Sequence, residues 1–461
     1  MFYINENIFF RIYDEEVFVA DTKMDKYYIF NESMAEILSF LTKTPGVSME
    51  ALVEHFANTY KINSNEELYN DISIAVSELL NYKIIYDDFD IENFMTLKAA
   101  ENKRLYHALI ELTYKCNLKC KHCYAEAGSK EEMSTQQVKS VINQLYEMNV
   151  MYITFTGGEV FTRNDFIEIF DYAIEKGFVV EIFSNGVNIS SDLIKYISKK
   201  YIKCFHCSIY SHIPDVHDSI TGVKGSFEKT IDTLKKFKSL GTKINIKTVI
   251  MNDNKNDLEG LIDLSEKLNA SLQVGLNVTP KNSGDLSPTQ LRMNSIREYE
   301  NVLRILNKSQ NNHAELSKRP ERYDDDNLCG AGLCSISINP YGEVFPCNGM
   351  TVKIGDVSES TIKDIWDKSK DLKEIRSKTF GCVDGCEECD VKSYCHFCMG
   401  QSFLENNGEL RKYDEACMLA NASYNIQEKN KERRKTNEKV CKAFNSCNRQ
   451  WKQSYIIKSM P

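Results

Sequence analysis

Hydrophobic positions along the chain fall into three successive rhythms. Over residues 8–31 the runs FFRIY, VFVAD and KYYIF are aromatic and β-branched, the composition of strands, and Asp-Thr-Lys-Met-Asp forms a turn between the last two. Apolar residues then recur at helical spacing in three stretches. Asn31–Leu41 opens on a capping residue and an acid. Ser48–Tyr60 has Ser48 as cap and carries Leu52, Val53 and Phe56, and Glu66–Leu80 carries Leu68, Ile72, Ile74, Val76 and Leu80. KIIY at 83–86 returns as a strand. Strands followed by three helices in so short a span predict a small α+β, winged-helix-like unit over residues 1–95, and the polar residues 87–105 read as a linker.

From residue 106 the rhythm becomes strand–helix alternation. HALIELTY, MYITFTG, FVVEIFSNG, IKCFHCSIY, KINIKTVIM and SLQVGLNV are strand-like, with helical patterns between them near 134–148, 164–176, 190–200, 225–239 and 255–268. Gly177 and Gly241 stop two of these helices. Six apolar strands separated by helices call for a parallel sheet. A span of about 175 residues suits a partial (β/α)6 barrel better than an eightfold one of ~250, with the chemistry on loops at the C-terminal strand ends. Residues 281–327 are polar, with a helical stretch near 290–308. A cysteine-rich segment then leads to a charged tail at 426–461. The fold class expected is α/β: a TIM-like barrel over 106–300, preceded by the α+β unit and followed by a Cys-rich domain over 315–425.

Composition changes this picture in two ways. The net charge of −9 argues against general nucleic-acid affinity, and its distribution is uneven: residues 1–100 hold 18 acids and 7 bases, while residues 428–461 hold 10 bases and 3 acids. The acidic front could favour a basic peptide partner, or be a solvated surface. The sixteen cysteines are also uneven, with none in residues 1–115 and nine in 329–417. The N-terminus has no signal-peptide pattern and no stretch reaches the 18 apolar residues of a membrane span, so a cytoplasmic, membrane-free protein is expected. In that compartment clustered thiols read as metal ligands or catalytic groups.

The strand at 107–114 leads into LTYKCNLKCKHCYAEAG, where Cys116, Cys120 and Cys123 form C-x3-C-x2-C. Three thiolates on one loop can hold three irons of a 4Fe–4S cluster and leave the fourth iron open to a ligand. The alternative is a zinc loop completed by His122 or a distant residue. Further motifs follow in order: Thr156-Gly157-Gly158-Glu159 after the second strand, Ser184-Asn185-Gly186 at the third, Ser208-Ile209-Tyr210 at the fourth, then His217-Asp218-x3-Gly222-x2-Gly225-Ser226-Phe227.

This series resembles the radical S-adenosylmethionine (SAM) superfamily. The resemblance implies an oxidoreductase that cleaves SAM reductively at a 4Fe–4S cluster, giving a 5′-deoxyadenosyl radical that takes hydrogen from a substrate. It implies that Cys116, Cys120 and Cys123 hold that cluster and that Gly157, Gly158, Glu159, Ser184, Asn185, Ser208 and His122 bind the cofactor, Glu159 facing the methionine ammonium and His122 the adenine. Many relatives have Ser-Leu-Asp where this chain has Ser208-Ile209-Tyr210, and an aromatic residue where it has His122.

Downstream run Cys329-x4-Cys334, Gly342-x4-Cys347, Cys386-x2-Cys389-x5-Cys395-x2-Cys398 and Cys417, with a turn at Asn339-Pro340-Tyr341-Gly342 between SISI and EVFPC. This order resembles the SPASM extension of peptide-modifying radical enzymes, although its last gap is two residues where three is commoner. The resemblance implies two auxiliary 4Fe–4S clusters, one on Cys329, Cys334, Cys347 and Cys398, the other on Cys386, Cys389, Cys395 and Cys417, with Cys382 as an alternative ligand. A pair of zinc knuckles is the competing reading. Cys204, Cys207, Cys441 and Cys447 remain outside these sets. On the fourth strand Cys204, His206 and Ser208 share one face, expected to line the barrel interior.

The front unit resembles the PqqD-like precursor-recognition element that binds leader peptides, and the whole layout, CGAGLCSISINPYGEVFPC above all, resembles sactipeptide maturases. The function expected is modification of a ribosomally synthesised precursor peptide bound through its leader, with an intrapeptide thioether as the favoured bond and a flavodoxin or ferredoxin as reductant. Epimerisation, C–C cross-linking, oxidation, sulfatase-type protein maturation, porphyrin side-chain chemistry and a non-catalytic zinc scaffold are the alternatives. Tyr124, Glu111, His206 and Tyr210 are acid–base candidates by position only, and no catalytic residue is assigned.

Overall fold

The computed structural model describes residues 3–4, 8–13, 16–21, 26–43, 47–62, 66–86, 105–126, 130–200, 202–308, 324 and 327–427. Of the linker expected at 87–105 and the basic tail expected at 426–461, residues 87–104 and 428–461, with Cys441 and Cys447, lie outside them.

The front unit contains β1 (Tyr3–Ile4), β2 (Ile8–Tyr13), β3 (Glu16–Asp21), β4 (Lys26–Asn31), α1 (Glu32–Lys43), α2 (Met49–Tyr60), α3 (Glu66–Asn81) and β5 (Ile85–Tyr86). Strands β2-β3-β4 form an antiparallel sheet, and β1 pairs separately with β5. Ser48 caps α2 by accepting from Ala51 N (3.3 Å). The returning strand is shorter than KIIY because Lys83 takes a left-handed φ of 56°. The aromatic strands are buried on both faces. Ile8, Val17, Val19, Tyr28 and Phe30 pack on the helices, while Phe9, Phe18, Ala20 and Tyr27 pack on Tyr106, Met151, Tyr152 and Val179 of the next unit.

That unit alternates β6 (His107–Thr113), α4 (Thr135–Glu147), β7 (Tyr152–Gly157), α5 (Phe166–Glu175), β8 (Val179–Ser184), α6 (Ser191–Lys199), β9 (Cys204–Ser208), α7 (Pro214–Thr221), α8 (Ser226–Ser239), β10 (Ile244–Val249), α9 (Leu258–Lys267) and β11 (Ser271–Gly275). The six strands are parallel and adjacent in chain order, as expected of the partial barrel. Alternate residues such as Ile110, Ile153, Ile182, Phe205 and Ile246 join the main apolar core. The intervening register, Leu109 beside Thr154, Glu181 and Cys204, carries the polar interior. Helix α10 (Ile296–Lys308) starts later than the pattern suggested, after a short 3₁₀ turn at Ser287–Leu291.

The cysteine-rich part is built onto this sheet. Its β12 (Ser335–Ile338) lies parallel beside β6, and β13 (Glu343–Phe345) and β14 (Gly355–Asp356) extend the sheet antiparallel to nine strands. The β12–β13 turn closes where expected: Gly342 N donates to Asn339 O (3.0 Å), and Asn339 Oδ1 accepts from the amides of Tyr341 and Glu343 (both 3.0 Å). Helices α11 (Ile362–Lys368), α12 (Lys370–Ser377), α13 (Met399–Glu405) and α14 (414–427) complete it. No described helix is long and apolar enough to cross a membrane.

Candidate active site at the C-terminal strand ends

Every motif from Cys116 to Ser208 falls at the C-terminal end of a parallel strand. The glycines of the second motif solve a backbone-packing problem. A Cβ on Gly157 (φ +134°) would collide with the carbonyl oxygen of Thr113, and one on Gly158 would lie 2.5 Å from Lys115 O. This close approach lets Gly158 N donate to Thr113 O (2.7 Å) and Glu159 N to Lys115 O (2.9 Å), tying β7 to the entry of the cysteine loop.

Glu159 then joins the third strand end to the second. Its carboxylate is 1% exposed and accepts from Ser184 Oγ (2.9 and 3.0 Å), Asn185 N (2.8 Å) and Phe161 N (3.2 Å). Burial pushes it up to about 7, against those hydrogen bonds. Asn185 Nδ2 donates to Asn117 Oδ1 (2.7 Å), and Asn117 Nδ2 returns a bond to Val187 O (3.1 Å), so the third motif clasps the cysteine loop. The loop's far side is held by α7: Lys119 N and Lys121 N donate to Thr221 O and Ile220 O (2.8 and 3.0 Å). Asp218 fixes the start of α8 by accepting from Ser226 Oγ and Phe227 N (2.8 and 2.9 Å). The late motif is a buttress for the loop.

The loop's thiols electrostatically oppose one another's ionisation, and burial pushes Cys120 up to about 12. Ligation by iron is what would deprotonate such a buried thiol. His122 packs edge-on against Tyr210 (centroids 4.5 Å apart), and its buried Nδ1 has no hydrogen-bond partner among the described residues; burial pushes its pKa down to about 4. A soft donor set on one loop beside an unpartnered polar ring suits a thiolate-bound cluster and a polar organic cofactor. Ser208 is half-buried at the end of β9, next to Cys207, which faces the apolar core.

The downstream cysteines form two neighbourhoods. Cys398 and Cys329 both disfavour ionisation of Cys347, Cys329 does the same to Cys398, and Cys334 to Cys329. Gly400 makes this possible: a Cβ there would run into the carbonyl oxygen of Gly349, so the backbones after Cys347 and Cys398 touch. Cys386, Cys389, Cys395 and Cys417 line one cavity of about 50 Å³, with Phe380, Phe397 and Tyr413 among its walls. Cys382 is absent from that lining; it is exposed and bonded to Thr379 (3.7 Å). Among the described residues no three His, Cys, Asp or Glu side chains sit close enough to share a single metal ion.

Where the two cysteine regions meet, Glu111 is 2% exposed on β6. It accepts from Tyr114 Oη (2.9 Å) and Tyr124 Oη (2.8 Å), and burial pushes it up to about 7. Asn348 Nδ2, beside Cys347, donates to Tyr124 Oη (3.5 Å), beside Cys123. A pocket of about 190 Å³ opens here, lined by Glu111, Tyr114, Asn282, Asn339, Glu343 and Asn348 with Phe345, Met350 and Thr351. Sequence reasoning had Glu111 and Tyr124 by position alone and missed Tyr114 and Asn348, whose signal was adjacency to the cysteine motifs, and Asn282, which carried none. Of the other acid–base candidates, His206 lies lower in the interior near Glu181 (3.7 Å), and Tyr210 is buried against His122 and His217.

Comparison with known proteins bears on both halves of this site. The radical SAM superfamily profile matches residues 110–265, and the SPASM iron–sulfur cluster-binding domain profile matches residues 329–390. The mycofactocin maturase MftC of Mycolicibacterium smegmatis is 28% identical over 309 residues, 64% of this chain and 78% of that protein. An AdoMet-dependent heme synthase of Oleidesulfovibrio alaskensis is 28% identical over 331 residues, 65% of this chain and 84% of that protein. In fold, the chain is similar to Streptococcus suis SuiB, solved with S-adenosylmethionine (TM-score 0.62, 16% identity) and with its precursor peptide SuiA (TM-score 0.60, 17% identity); each covers 90% of this chain and 100% of SuiB. The two domains imply a SAM-binding 4Fe–4S cluster and auxiliary clusters. Residues 110–265 thus form a radical SAM domain and residues 329–390 a SPASM iron–sulfur cluster-binding domain.

Proposed function

We propose that this chain modifies a ribosomally made precursor peptide, bound through its leader, and installs an intrapeptide cross-link, with a thioether as the favoured bond. The reading rests above all on the Asn348–Tyr124 hydrogen bond, which joins the SPASM domain to the cysteine loop beside a polar pocket. Such a junction suits a substrate that must meet the radical source on one side and an electron acceptor on the other. SuiB, which shares the fold, has been solved with a precursor peptide, and MftC is a maturase.

On this reading Cys116, Cys120 and Cys123 hold the SAM-binding cluster. Cys329, Cys334, Cys347 and Cys398 hold one auxiliary cluster, and Cys386, Cys389, Cys395 and Cys417 the other. Together with bound SAM these groups supply a hydrogen-abstracting radical and an electron sink. Gly157, Gly158, Glu159, Ser184 and Asn185 keep the cysteine loop and strand ends in register for the cofactor, and His122 and Ser208 face it. The front unit, residues 1–95, recognises the leader in the manner of PqqD-like elements, by strand addition at a sheet edge. Electrons come from a flavodoxin- or ferredoxin-type reductant, and the setting is cytoplasmic.

Incubating the reconstituted enzyme with reductant, SAM and the peptide encoded beside its gene tests this. A product lighter by two hydrogens is expected, and alkylation shows whether a cysteine thiol has been consumed. Unchanged mass points to epimerisation. No peptide product, with decarboxylation of a porphyrin instead, would sink the reading in favour of the heme-synthase relative's chemistry.

A further inference from the structure

We propose that Glu111 is the proton acceptor for the peptide residue that joins the new bond, held for that role by Tyr114 and Tyr124 at the wall of the junction pocket. This rests on the peptide cross-linking reading above. The geometry carries it in three steps. First, the carboxylate is buried yet borders a pocket of about 190 Å³ shared by barrel and SPASM residues, so a side chain entering from the peptide meets it there. Second, each oxygen has one fixed donor: Oε1 takes Tyr124 Oη at 2.8 Å and Oε2 takes Tyr114 Oη at 2.9 Å. Two neutral phenols hold the carboxyl in one orientation, and each oxygen keeps a second lone-pair direction for an incoming X–H. Third, the other lining groups cannot take a proton so readily. Asn282, Asn339 and Asn348 are amides, suited to pairing with peptide N–H and C=O groups. Glu343 is tied to Lys130 (2.6 Å), Lys353 (3.6 Å) and Asn339 (2.8 Å).

In forming a thioether, the acceptor C–H bond breaks and its hydrogen atom leaves with the deoxyadenosyl radical. The cysteine S–H bond breaks and its proton passes to Glu111. The C–S bond forms, and the one remaining electron is taken by an oxidised auxiliary iron–sulfur cluster, the oxidant class that the SPASM domain supplies. The peptide loses two hydrogens. Burial holds Glu111 near neutrality, where a general base works best, against the hydrogen bonds of Tyr124 and Tyr114 that favour its charged form. The groups facing it are those two tyrosines, the Cys123 thiol, and Asn282, Asn348 and Glu343 across the pocket.

The test compares wild type with Glu111→Gln and Glu111→Asp, using the peptide encoded beside the gene. Glu111→Gln should lower cross-linked product at pH 7 by about 10²-fold. Product formed per 5′-deoxyadenosine should fall with it, and the rise of product rate with pH through 7 should disappear; Glu111→Asp should restore part of both. On protein without SAM or peptide, the wild-type minus Glu111→Gln infrared difference should hold a carboxylic-acid band titrating near pH 7, while the Glu159 carboxyl titrates in both proteins. A Gln variant with the wild-type product ratio and pH limb, or a wild-type minus Gln difference without that band, overturns the assignment alone. Wild type yielding no peptide product overturns the function and this inference together.

Discussion

Two carboxylates at opposite ends of the parallel sheet, Glu159 buried and Glu181 half-buried, are held in opposite ways. At the C-terminal end, the donors that Glu159 has among the described residues are all neutral, and burial pushes it up to about 7. Toward the N-terminal end, burial also acts on Glu181, but His206, Lys203 and His107 outweigh it and hold the carboxyl well below its usual range. Lys203 Nζ lies 3.3 Å from Glu181, over the Tyr152 ring (4.9 Å), and donates to Tyr27 Oη (3.1 Å) of the front unit. The lower end is closed by paired charges and by Phe18 and Tyr27 packed on the strand starts. Among the described residues, the upper end leaves Glu111 and Glu159 without counter-ions, a His122 nitrogen without a partner and an open pocket. Charge neutralised within the protein belongs to structure, and polar groups left unanswered mark where a ligand is to come.

The sharpest way to break this contrast is to remove a thiol from the upper end. Cys116→Ala should abolish SAM cleavage and lower iron from about twelve to about eight per chain, if one of three four-iron clusters is lost; iron and sulfide analysis with a 5′-deoxyadenosine assay reads both. A colourless protein binding zinc would end the enzyme reading altogether. Next in size is Gly158→Ala. Its Cβ would lie 2.5 Å from Lys115 O, a backbone atom that cannot step aside without moving the cysteine loop. A displacement approaching 1 Å should cost about 10²-fold in SAM cleavage, while the urea midpoint moves modestly.

The lower end should respond in the other sense. Lys203→Met removes the cation from Glu181 and the donor to Tyr27, and leaves a carboxylate that is 17% exposed with less compensation. The expected loss is about 3 kcal/mol of stability, read as a lower urea midpoint at constant slope, with SAM cleavage reduced no more than about threefold. A large loss of cleavage at unchanged stability would mean that the two ends are coupled and the contrast false.

Much of this was legible in the sequence for a physical reason. Strand–helix alternation has one economical solution, so the order of six parallel strands followed from the pattern, and motifs ending strands were bound to collect at one edge. The Ser48 cap and the Asn339–Gly342 turn are local and were read directly. What escaped was what depends on tertiary register. SISI looked like half of an isolated hairpin, but its parallel pairing with β6 is a long-range choice that hydrophobicity alone does not encode. The two-sided burial of β2–β4 was present as aromatic residues at successive positions, whereas its meaning required the surface of Tyr106 and Tyr152. Gly157 and Gly158 were expected to admit a ligand, and in the fold they admit the backbone of residues 113–115. Gly400 carried the same kind of signal, a glycine after a cysteine, and went unread.

The smallest effect is the most diagnostic of the contrast, because it turns on sign. Glu159 is raised, so the native state holds its proton more tightly than the unfolded chain. Its contribution is fully present below the usual carboxylate range near 4.5 and is lost as pH rises through about 7. Glu181 is lowered, so its contribution is present above that range and is lost as pH falls. Glu159→Gln should therefore gain on wild type between pH 4.5 and 7, by about 2 kcal/mol across the interval, whatever constant penalty the amide incurs by facing Ser184 Oγ and the Asn185 and Phe161 amides. Glu181→Gln should lose on wild type as pH rises away from the acid limit. Urea midpoints of Glu159→Gln at pH 5, 6 and 7 and of Glu181→Gln at pH 3, 4 and 5 give the two slopes. Equal signs would mean that Glu159 is charged and paired in the folded protein, and that the upper end is as neutralised as the lower.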